Sequence, residues 1–355
     1  MPSTKKLLQA AAGNAGDSIY VEDVFSTYLY DGTATTQVIT NGLDLDGEGG
    51  MVWFKNRTAA DQNCVYDTER GAGKVLFPDT TGAQLTNTGS KVDFNTDGFD
   101  TGTSYGGSEN GTGKSICSWS FRKAPGFFDV VTYTGTGATQ HDVTHNLGTV
   151  PGFVIVKDTS SSGSWSVGAL KADGSYAGLI LNTTGAASPA SVAAVNAGIF
   201  DTHVDFGNTG WSGQIASVNV IGNTYVAYLF AHDAQEFGAG GDESIIKCGS
   251  FTSTALNNLG WEPAFVMMKR TDSTSGWFMV DNMRGMTASS NTTTYFGSSP
   301  YLYANASTAE TAGGGLIAIH ANGFASGQSG TYIYIAIRRP MKVPESGTEV
   351  FNPNI

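Results

Sequence analysis

Two glycine-rich segments carry residue patterns that are found at catalytic and phosphate-binding sites. The pentapeptide GTSYG, from Gly102 to Gly106, matches the G-x-S-x-G pattern that presents a nucleophilic serine at a strand-to-helix turn. The segment NGTGKS, from Asn110 to Ser115, suggests a phosphate-binding loop, but Ser108 stands where that motif needs a glycine. Both motifs require a following helix, whereas the pattern ICSWSF predicts a strand. We therefore expect no catalytic residue and no enzymatic activity.

The acidic segment DLDGEGG is the candidate for a metal site. It places Asp44, Asp46 and Glu48 around a glycine turn, and hard oxygen ligands on a flexible turn can hold a structural calcium ion. The EF-hand pattern is not met, and the corresponding turns later in the chain lack these acids. An ordinary polar turn is the alternative, and no other cofactor is expected.

The histidines and cysteines show no spacing typical of a metal or redox site. His141 and His145 lie four residues apart, which suits a metal only on a helix, and their segment is rich in turn residues. Cys64, Cys117 and Cys248 form no CxxC pair, and an odd number cannot form a complete set of disulfides. We expect the three cysteines to be reduced and buried in strands.

Aromatic residues in loops are the candidates for ligand binding. An exposed ring can stack on a sugar, and the loop segments GNTGWSG and YFGSSPYLYAN supply such rings. The candidate residues are Trp211, Tyr295, Phe296, Tyr301 and Tyr303. Packing of these loops against a neighbouring subunit is the alternative. Core packing is expected instead for Trp165 and Trp277, which begin alternating strands.

The composition of the elements that position these residues indicates an all-β protein. Glycine is abundant, with 47 residues, charged residues make up 14% of the chain and hydrophobic residues 40%. This balance is typical of turn-rich sheets with a buried core. The net charge of −12 argues against a nucleic-acid partner, because such binding needs Lys and Arg to neutralise phosphates. No apolar run approaches the roughly 18 residues of a membrane span, so we expect no membrane insertion.

Three apolar segments that each contain a lysine recur along the chain. They are GGMVWFKNR, PGFVIVKDT and PAFVMMKRT, with the lysines Lys55, Lys157 and Lys269. The lysines lie roughly a hundred residues apart, which is the size of a domain and too long for a solenoid repeat. An alternating strand precedes each segment, and further strands follow each one in the same order. The sequence therefore predicts three copies of one β unit.

Two of the copies contain a D-x-x-R-G turn after the lysine strand. Asp67 precedes Arg70 in the first copy, and Asp281 precedes Arg284 in the third, whereas the second copy has VGALKADG at that place. A charge-assisted hydrogen bond is predicted to shape each of the two turns.

Sheet-on-sheet packing is the economical way to bury the apolar faces of such strands, so we expect three tandem homologous β-sandwiches of the jelly-roll type with Greek-key connections. The expected segments are an N-terminal docking arm at 1–16, repeat 1 at 17–125, repeat 2 at 126–235, repeat 3 at 236–345 and a C-terminal tail at 346–355.

The N-terminal arm matches no part of a repeat. It joins Lys5 and Lys6 to Leu7 and Leu8, next to an acidic body. We expect this arm to dock on another protein and to become ordered on binding; a frayed terminus without a role is the alternative.

The sequence resembles a family of tailed-phage virion proteins. The resemblance lies in the lysine strands, the D-x-x-R-G turns and the segments FRKAPGFFDVVTYTGTG and HNLGTVPGFVIVK. These proteins are common in marine and cyanobacterial phages and are described as tail-fibre-like or structural. The resemblance covers all three copies and is weakest in the second. It implies concanavalin-A-like jelly-roll domains and a place in the virion after synthesis in the host cytoplasm.

The expected function is that of a non-enzymatic virion protein, tail-fibre-like or tail-associated, that contributes to recognition of a glycan on the host surface. A decoration or cement protein on the capsid surface is the alternative, and a glycan-cleaving tailspike enzyme is a less favoured one. The expected partners are other virion proteins, further copies of the chain in a homo-oligomer, with a trimer as one option, and a host-surface glycan.

Overall fold

The computed structural model describes residues 18–86, 91–103, 108–188, 198–207, 218–252, 256–288, 299–313 and 317–341. Within these ranges the regular elements are strands, apart from one short 3-10 helix, η1 (Val21–Asp23). The prediction of an all-β protein is confirmed. We call the three predicted repeats unit 1, unit 2 and unit 3.

Each unit contributes a series of short strands. Unit 1 contains β1 (Phe25–Asp31), β2 (Gln37–Thr40), β3 (Gly50–Asn56), β4 (Cys64–Asp67), β5 (Lys74–Val75), β6 (Leu85–Thr86), β7 (Val92–Asn95), β8 (Gly98–Thr101) and β9 (Ser115–Arg122). Unit 2 contains β10 (Phe128–Thr134), β11 (Asp142–Thr144), β12 (Pro151–Asp158), β13 (Ser166–Leu170), β14 (Tyr176–Ile180), β15 (His203–Asp205) and β16 (Thr224–Ala231). Unit 3 contains β17 (Ile246–Thr252), β18 (Asn257–Asn258), β19 (Pro263–Arg270), β20 (Trp277–Asp281), β21 (Leu302–Tyr303), β22 (Ala318–His320), β23 (Gly323–Ala325) and β24 (Thr331–Arg338).

Three antiparallel sheets, one per unit, share the same strand order. They are β1-β9-β3-β4, β10-β16-β12-β13-β14 and β17-β24-β19-β20-β21, and we call them the main sheets. In each, the first strand of the unit pairs with the last, and the last pairs with the lysine strand. The register is also shared, because the three lysines lie opposite Cys117, Val226 and Ile333 at matching positions of the last strands.

A smaller sheet accompanies each main sheet within the described residues. These sheets are β2-β8-β7, β11-β15 and β18-β23-β22. In unit 1, Ile39 and Phe99 of the smaller sheet share a buried cluster with Phe54 of the lysine strand, and the two phenylalanine rings pack edge to face at 5.3 Å. In unit 3, Phe324 shares a second cluster with Met268. One face of the main sheet is therefore covered within its own unit.

The other faces of the three main sheets meet in a single buried cluster. The ring pairs that join the units are Phe121–Phe230 at 5.5 Å, Phe153–Trp277 at 6.1 Å and Trp119–Phe265 at 6.0 Å. Successive side chains of a strand point to opposite faces of the sheet. Alternate residues of each lysine strand therefore pack against the smaller sheet of the same unit, and the residues between them pack in the common core. The three units thus share one core rather than following one another as separate bodies.

Candidate functional site

Each of the three recurring lysines crosses a junction between two units. The bonds are Lys157 Nζ to the Thr81 carbonyl at 3.4 Å, Lys269 Nζ to the Thr184 carbonyl at 3.3 Å and Lys55 Nζ to the Ser307 carbonyl at 3.0 Å. Burial lowers the pKa of each lysine from 10.5 to about 8. Unit 2 is tied to unit 1, unit 3 to unit 2, and unit 1 to unit 3, so the described units close into a ring.

A second set of bonds repeats the same cycle. The Nε1 of Trp165 donates to the Phe77 carbonyl, the Nε1 of Trp277 to the Ile180 carbonyl and the Nδ2 of Asn63 to the Tyr303 carbonyl, each at 3.1 Å. The two tryptophans are at most 1% exposed, which confirms that they are core residues. Asn63 replaces an indole with an amide and keeps the bond to the neighbouring unit.

Asp79 of unit 1 is an acid at a position where units 2 and 3 have an asparagine. The backbone N–H groups of Trp165 and Trp277 donate to Asn182 and Asn305, whereas that of Asn63 donates to Asp79 at 3.2 Å. Burial raises the pKa of Asp79 from 3.8 to about 6, and the nearby charge of Lys55 offsets only part of this rise. Unit 1 therefore holds a half-buried acid with a pKa of about 6 where units 2 and 3 have a neutral amide.

The two D-x-x-R-G turns are fixed by buried ion pairs, as predicted. Their bonds are Arg70 Nε to Asp67 Oδ2 at 2.5 Å and Arg284 Nε to Asp281 Oδ2 at 2.6 Å. The same carboxylate oxygens accept a hydrogen bond from the next unit in each case: Tyr228 Oη donates to Asp67 at 2.7 Å and Trp119 Nε1 donates to Asp281 at 3.0 Å. The acids thus join one unit to the next as well as shaping a turn.

The junction between units 2 and 3 lacks the acid, the arginine and the aromatic hydrogen-bond donor that the other two junctions contain. By register, Ala169 stands at the position of the acid. Ala172 stands at the position of the arginine, and Ile335 of unit 3 stands where Tyr228 and Trp119 stand in the other units. The segment VGALKADG therefore makes the junction between units 2 and 3 apolar at a place where the other two junctions contain a buried ion pair. A buried ion pair and a well-packed apolar group are often close in stability, which explains why the ring tolerates both.

The junction between unit 3 and unit 1 contains a cavity of about 380 Å³. Phe25 and Tyr28 of β1 form an aromatic part of its wall, and Ala264 and Met283 of unit 3 face them. Besides Tyr28, the polar residues of the lining are Glu22, Ser26, Thr27, Thr40, Asn41, Asp97 and Asn282. Among the described residues that line it, none is Lys, Arg or His. We call this space the closure cavity.

The predicted ligand residues Tyr301 and Tyr303 lie at the edge of the unit 3 main sheet, in and beside β21. Both side chains are half-buried, with ring centroids 5.3 Å apart, and both pack on Phe278, at 5.4 Å and 5.2 Å. The Tyr303 carbonyl also accepts the Asn63 bond described above. The two tyrosine side chains therefore pack against Phe278 at the edge of the unit 3 main sheet. Their role in ligand binding stays a prediction.

Several predicted residues lie outside the described residues. They are the ligand candidates Trp211, Tyr295 and Phe296 and the docking candidates Lys5, Lys6, Leu7 and Leu8. The serine of the GTSYG segment, Ser104, also lies there.

The three acids of the calcium candidate lie on the turn before β3. Asp44 accepts the backbone N–H of Gly47 at 2.7 Å, Asp46 is exposed, and Glu48 lies 3.5 Å from Arg122. Within the ranges that the structure covers, no three His, Cys, Asp or Glu side chains group as metal ligands would. The calcium ion stays a prediction.

The structure also describes the cysteines, the end of the NGTGKS segment and the histidines His141 and His145. The three cysteines are free and buried, as predicted. Ser115 begins the strand β9, which confirms that NGTGKS does not lead into a helix. His141 Nδ1 lies 2.9 Å from the Asn219 amide oxygen, and His145 Nε2 lies 3.1 Å from the Phe200 carbonyl. These two histidines take part in separate loop contacts.

The closure cavity was not predicted from the sequence, although the repeats contain a signal for it. By register, Ser26 of β1 stands at the position of Asp129 in unit 2 and Lys247 in unit 3. A charge present in two copies and absent from one points to a junction that differs from the others.

Comparison with known proteins gives one match. A family model described as a domain of unknown function, DUF7483, matches residues 21–339 and so spans all three units. Neither the curated proteins nor the solved structures contain a match. No helix in the described parts of the chain is long and apolar enough to cross a membrane.

Proposed function

We propose that this chain, which belongs to the DUF7483 family, is a non-enzymatic structural protein of a tailed-phage virion. The sequence resemblance to tail-fibre-like virion proteins is the first support. The observation that carries the proposal is the ring, in which three copies of one main sheet enclose a common core and are tied by buried bonds. Such a body presents three related surfaces in a fixed arrangement, which suits contact with a repetitive partner.

The physical advantage of three linked copies is an increase in effective concentration. When one weak contact forms, the others become intramolecular, so affinity rises without new chemistry. A repetitive cell surface or an array of equivalent particle subunits would both use this effect. We also propose that each unit is a concanavalin-like jelly roll, because each pairs a main antiparallel sheet with a smaller one.

Incorporation into particles tests the proposal and the docking arm together. Deletion of residues 2–14 is expected to reduce the amount of this protein in purified particles, measured by quantitative mass spectrometry. The matched pair of variants is K5E/K6E, expected to act like the deletion, and K5R/K6R, expected to act like the wild type. The absence of the unmodified protein from purified particles would refute the proposed function, and unchanged incorporation of the deletion variant would refute the docking arm.

We favour a tail-associated role in host recognition, and capsid decoration is the alternative. The double variant Tyr301→Ala with Tyr303→Ala is expected to lower adsorption of particles to host cells. Val38→Ala serves as the control, because Val38 is an apolar side chain 65% exposed in unit 1. Normal adsorption by double-variant particles that incorporate the protein normally would favour the decoration role.

The enzyme alternative is tested by turnover. A glycosidase needs two carboxyl groups about 5–10 Å apart on either side of the bond that is cleaved. We expect no release of reducing ends when the purified chain is incubated with host surface polysaccharide. Release that continues in proportion to protein concentration would replace the structural role with a tailspike activity.

A further inference from the structure

The three junctions of the ring share the lysine bond and the indole or amide bond but differ in other side chains. Between units 1 and 2, Lys123 bridges Asp129 at 3.2 Å and Glu69 at 2.7 Å. Between units 2 and 3, Lys247 pairs with Asp233 at 3.2 Å. Both junctions are thus occupied by charged side chains in direct contact.

The third junction has neutral residues at the same positions. Register places Ser26 where Lys247 stands and Pro340 where Asp233 stands. Both Ser26 and Pro340 line the closure cavity. Two neutral residues of the cavity lining therefore stand where the preceding junction has an ion pair.

A buried hydroxyl group beside this cavity also lacks a partner among the described residues. Thr27 lines the cavity, and its Oγ1 is buried without a hydrogen bond there. The equivalent residues in the other units are Val130 and Cys248, which place no hydroxyl at this position. A buried polar atom without a partner is costly, and a ligand that completes its hydrogen bonds recovers that cost.

We propose that the closure cavity binds a neutral sugar ring. Its volume of about 380 Å³ lies within the usual range for small-molecule sites, about 300–1,000 Å³. The lining combines hydroxyl, amide and carboxylate groups, which can accept from and donate to several sugar hydroxyls. Tyr28 and Phe25 supply apolar surface for the face of the ring.

The charges of the lining select against other ligands of similar size. Glu22 and Asp97 are acids, and the described lining has no cationic side chain, so an anionic sugar or a phosphate meets repulsion without compensation. The Glu22 carboxylate already accepts the backbone N–H of Met341 at 3.1 Å, and as an acceptor it can also bind a neutral hydroxyl. The inference rests on the proposed function for its biological source, since a host-surface glycan would supply the sugar.

Calorimetric titration of the purified full chain tests the proposal. The probes are the neutral sugars glucose, galactose, mannose and N-acetylglucosamine, with glucosamine as the cationic and glucuronate as the anionic comparison. We expect saturable binding of at least one neutral sugar with a Kd of about a millimolar or tighter, and weaker binding of glucuronate. Incorporation into particles is a separate measurement, so either proposal can fail without the other.

Variants copied from the other junctions link binding to the cavity. The double variant Ser26→Lys with Pro340→Asp installs the Lys247–Asp233 pair and is expected to weaken sugar binding at least about tenfold. Thr27→Val, which installs the residue of unit 2, is expected to weaken it about three- to tenfold while keeping the fold. Thr252→Val is the control, because Thr252 is exposed at the end of β17, and it is expected to bind as the wild type does.

Three results would overturn the proposal. The first is no binding of any neutral sugar at about 50 mM, well above the expected Kd. The second is binding that is unchanged in both cavity variants; if the double variant does not fold, Thr27→Val alone decides. The third is binding of glucosamine alone, which would assign the cavity to a cation.

Discussion

At the scale of single residues, the three units act as internal controls for one another. Where two copies agree and one differs, the differing residue has a local physical consequence. Asp79 is such a residue, because its counterparts Asn182 and Asn305 make the same backbone bond without a charge. Burial penalises the ionised form of an acid, and an amide avoids that penalty.

Asp79→Asn is expected to stabilise the protein at pH 7. The folded-state pKa of Asp79, about 6, is above its ordinary value of 3.8, so the unfolded chain releases this proton first as pH rises. The wild type therefore loses stability between about pH 4 and pH 6, and the variant does not. We expect a gain of about 1–2 kcal/mol in the free energy of unfolding at pH 7 that disappears below about pH 4.

Urea denaturation at several pH values measures this difference. Asp46→Asn provides the matched control, since Asp46 is exposed on the turn before β3, and its effect should stay within about 0.5 kcal/mol. A gain for Asp79→Asn that is the same at pH 4 and pH 7 would contradict the assignment to the charge of Asp79.

The buried group around Asp67 provides a second residue-scale prediction. Asp67→Ala leaves Arg70 buried without its partner and is expected to cost about 3–5 kcal/mol. The triple variant Asp67→Ala, Arg70→Ala and Tyr228→Ile copies the apolar solution of unit 2 and is expected to be more stable than Asp67→Ala alone. Thermal and urea unfolding of both variants measure the difference. A triple variant as unstable as the sum of its single changes would show that the three residues act independently.

At the scale of elements, the lysine strand is the part on which each unit depends. It pairs with the last strand on one side and with the following strand on the other, and it presents one face to each of two cores. In units 2 and 3 a bulge near its start shifts the register, at Gly152 and at Ala264. The bulge of unit 2 lies against unit 3, so the backbone there has little room for a side chain.

Gly152→Ala is expected to destabilise the protein by about 1–3 kcal/mol through overpacking. A Cβ at this position would lie 2.6 Å from the Cβ of His232 in the same unit and 2.9 Å from that of Cys248 across the junction. Gly82→Ala is the control, since a Cβ at Gly82 would lie 3.7 Å from the hydroxyl oxygen of Thr80, an ordinary van der Waals contact. Equal unfolding free energies for the two variants would show that the junction can open to admit a methyl group.

At the scale of the whole molecule, the ring makes the units depend on one another. Each main sheet buries its inner face against the other two, and each junction is tied by a lysine, by an indole or amide, and by backbone bonds. A unit removed from the ring would expose an apolar sheet face of the kind that promotes aggregation. The single family match across residues 21–339 agrees with treating the three units as one body.

Unfolding of the whole chain is therefore expected to be one cooperative transition rather than three. The fragment 126–235 is expected to lack a cooperative melt and to bind a hydrophobic dye, whereas 17–345 melts as the full chain does. Circular dichroism and calorimetry test both statements. A sharp, reversible melt of the isolated fragment would show that unit 2 folds without its neighbours.

The β class, the three lysine strands, the buried cysteines and the acid–arginine turns could all be predicted from the sequence. These features depend on local patterns: alternation along a strand, turn residues between strands, and an acid three residues before an arginine. The recurrence of the lysine strands also predicts equivalent positions for Lys55, Lys157 and Lys269, and the strand register confirms them.

The ring, its junctions and the closure cavity were decided only by tertiary structure. Alternation shows that a strand has two apolar faces but does not show which sheet covers each of them. Lys55 meets Ser307 across 252 positions of sequence, and no local pattern encodes that distance. The cavity arises where Ser26 of the first strand meets the end of unit 3, so it exists only because the chain closes on itself.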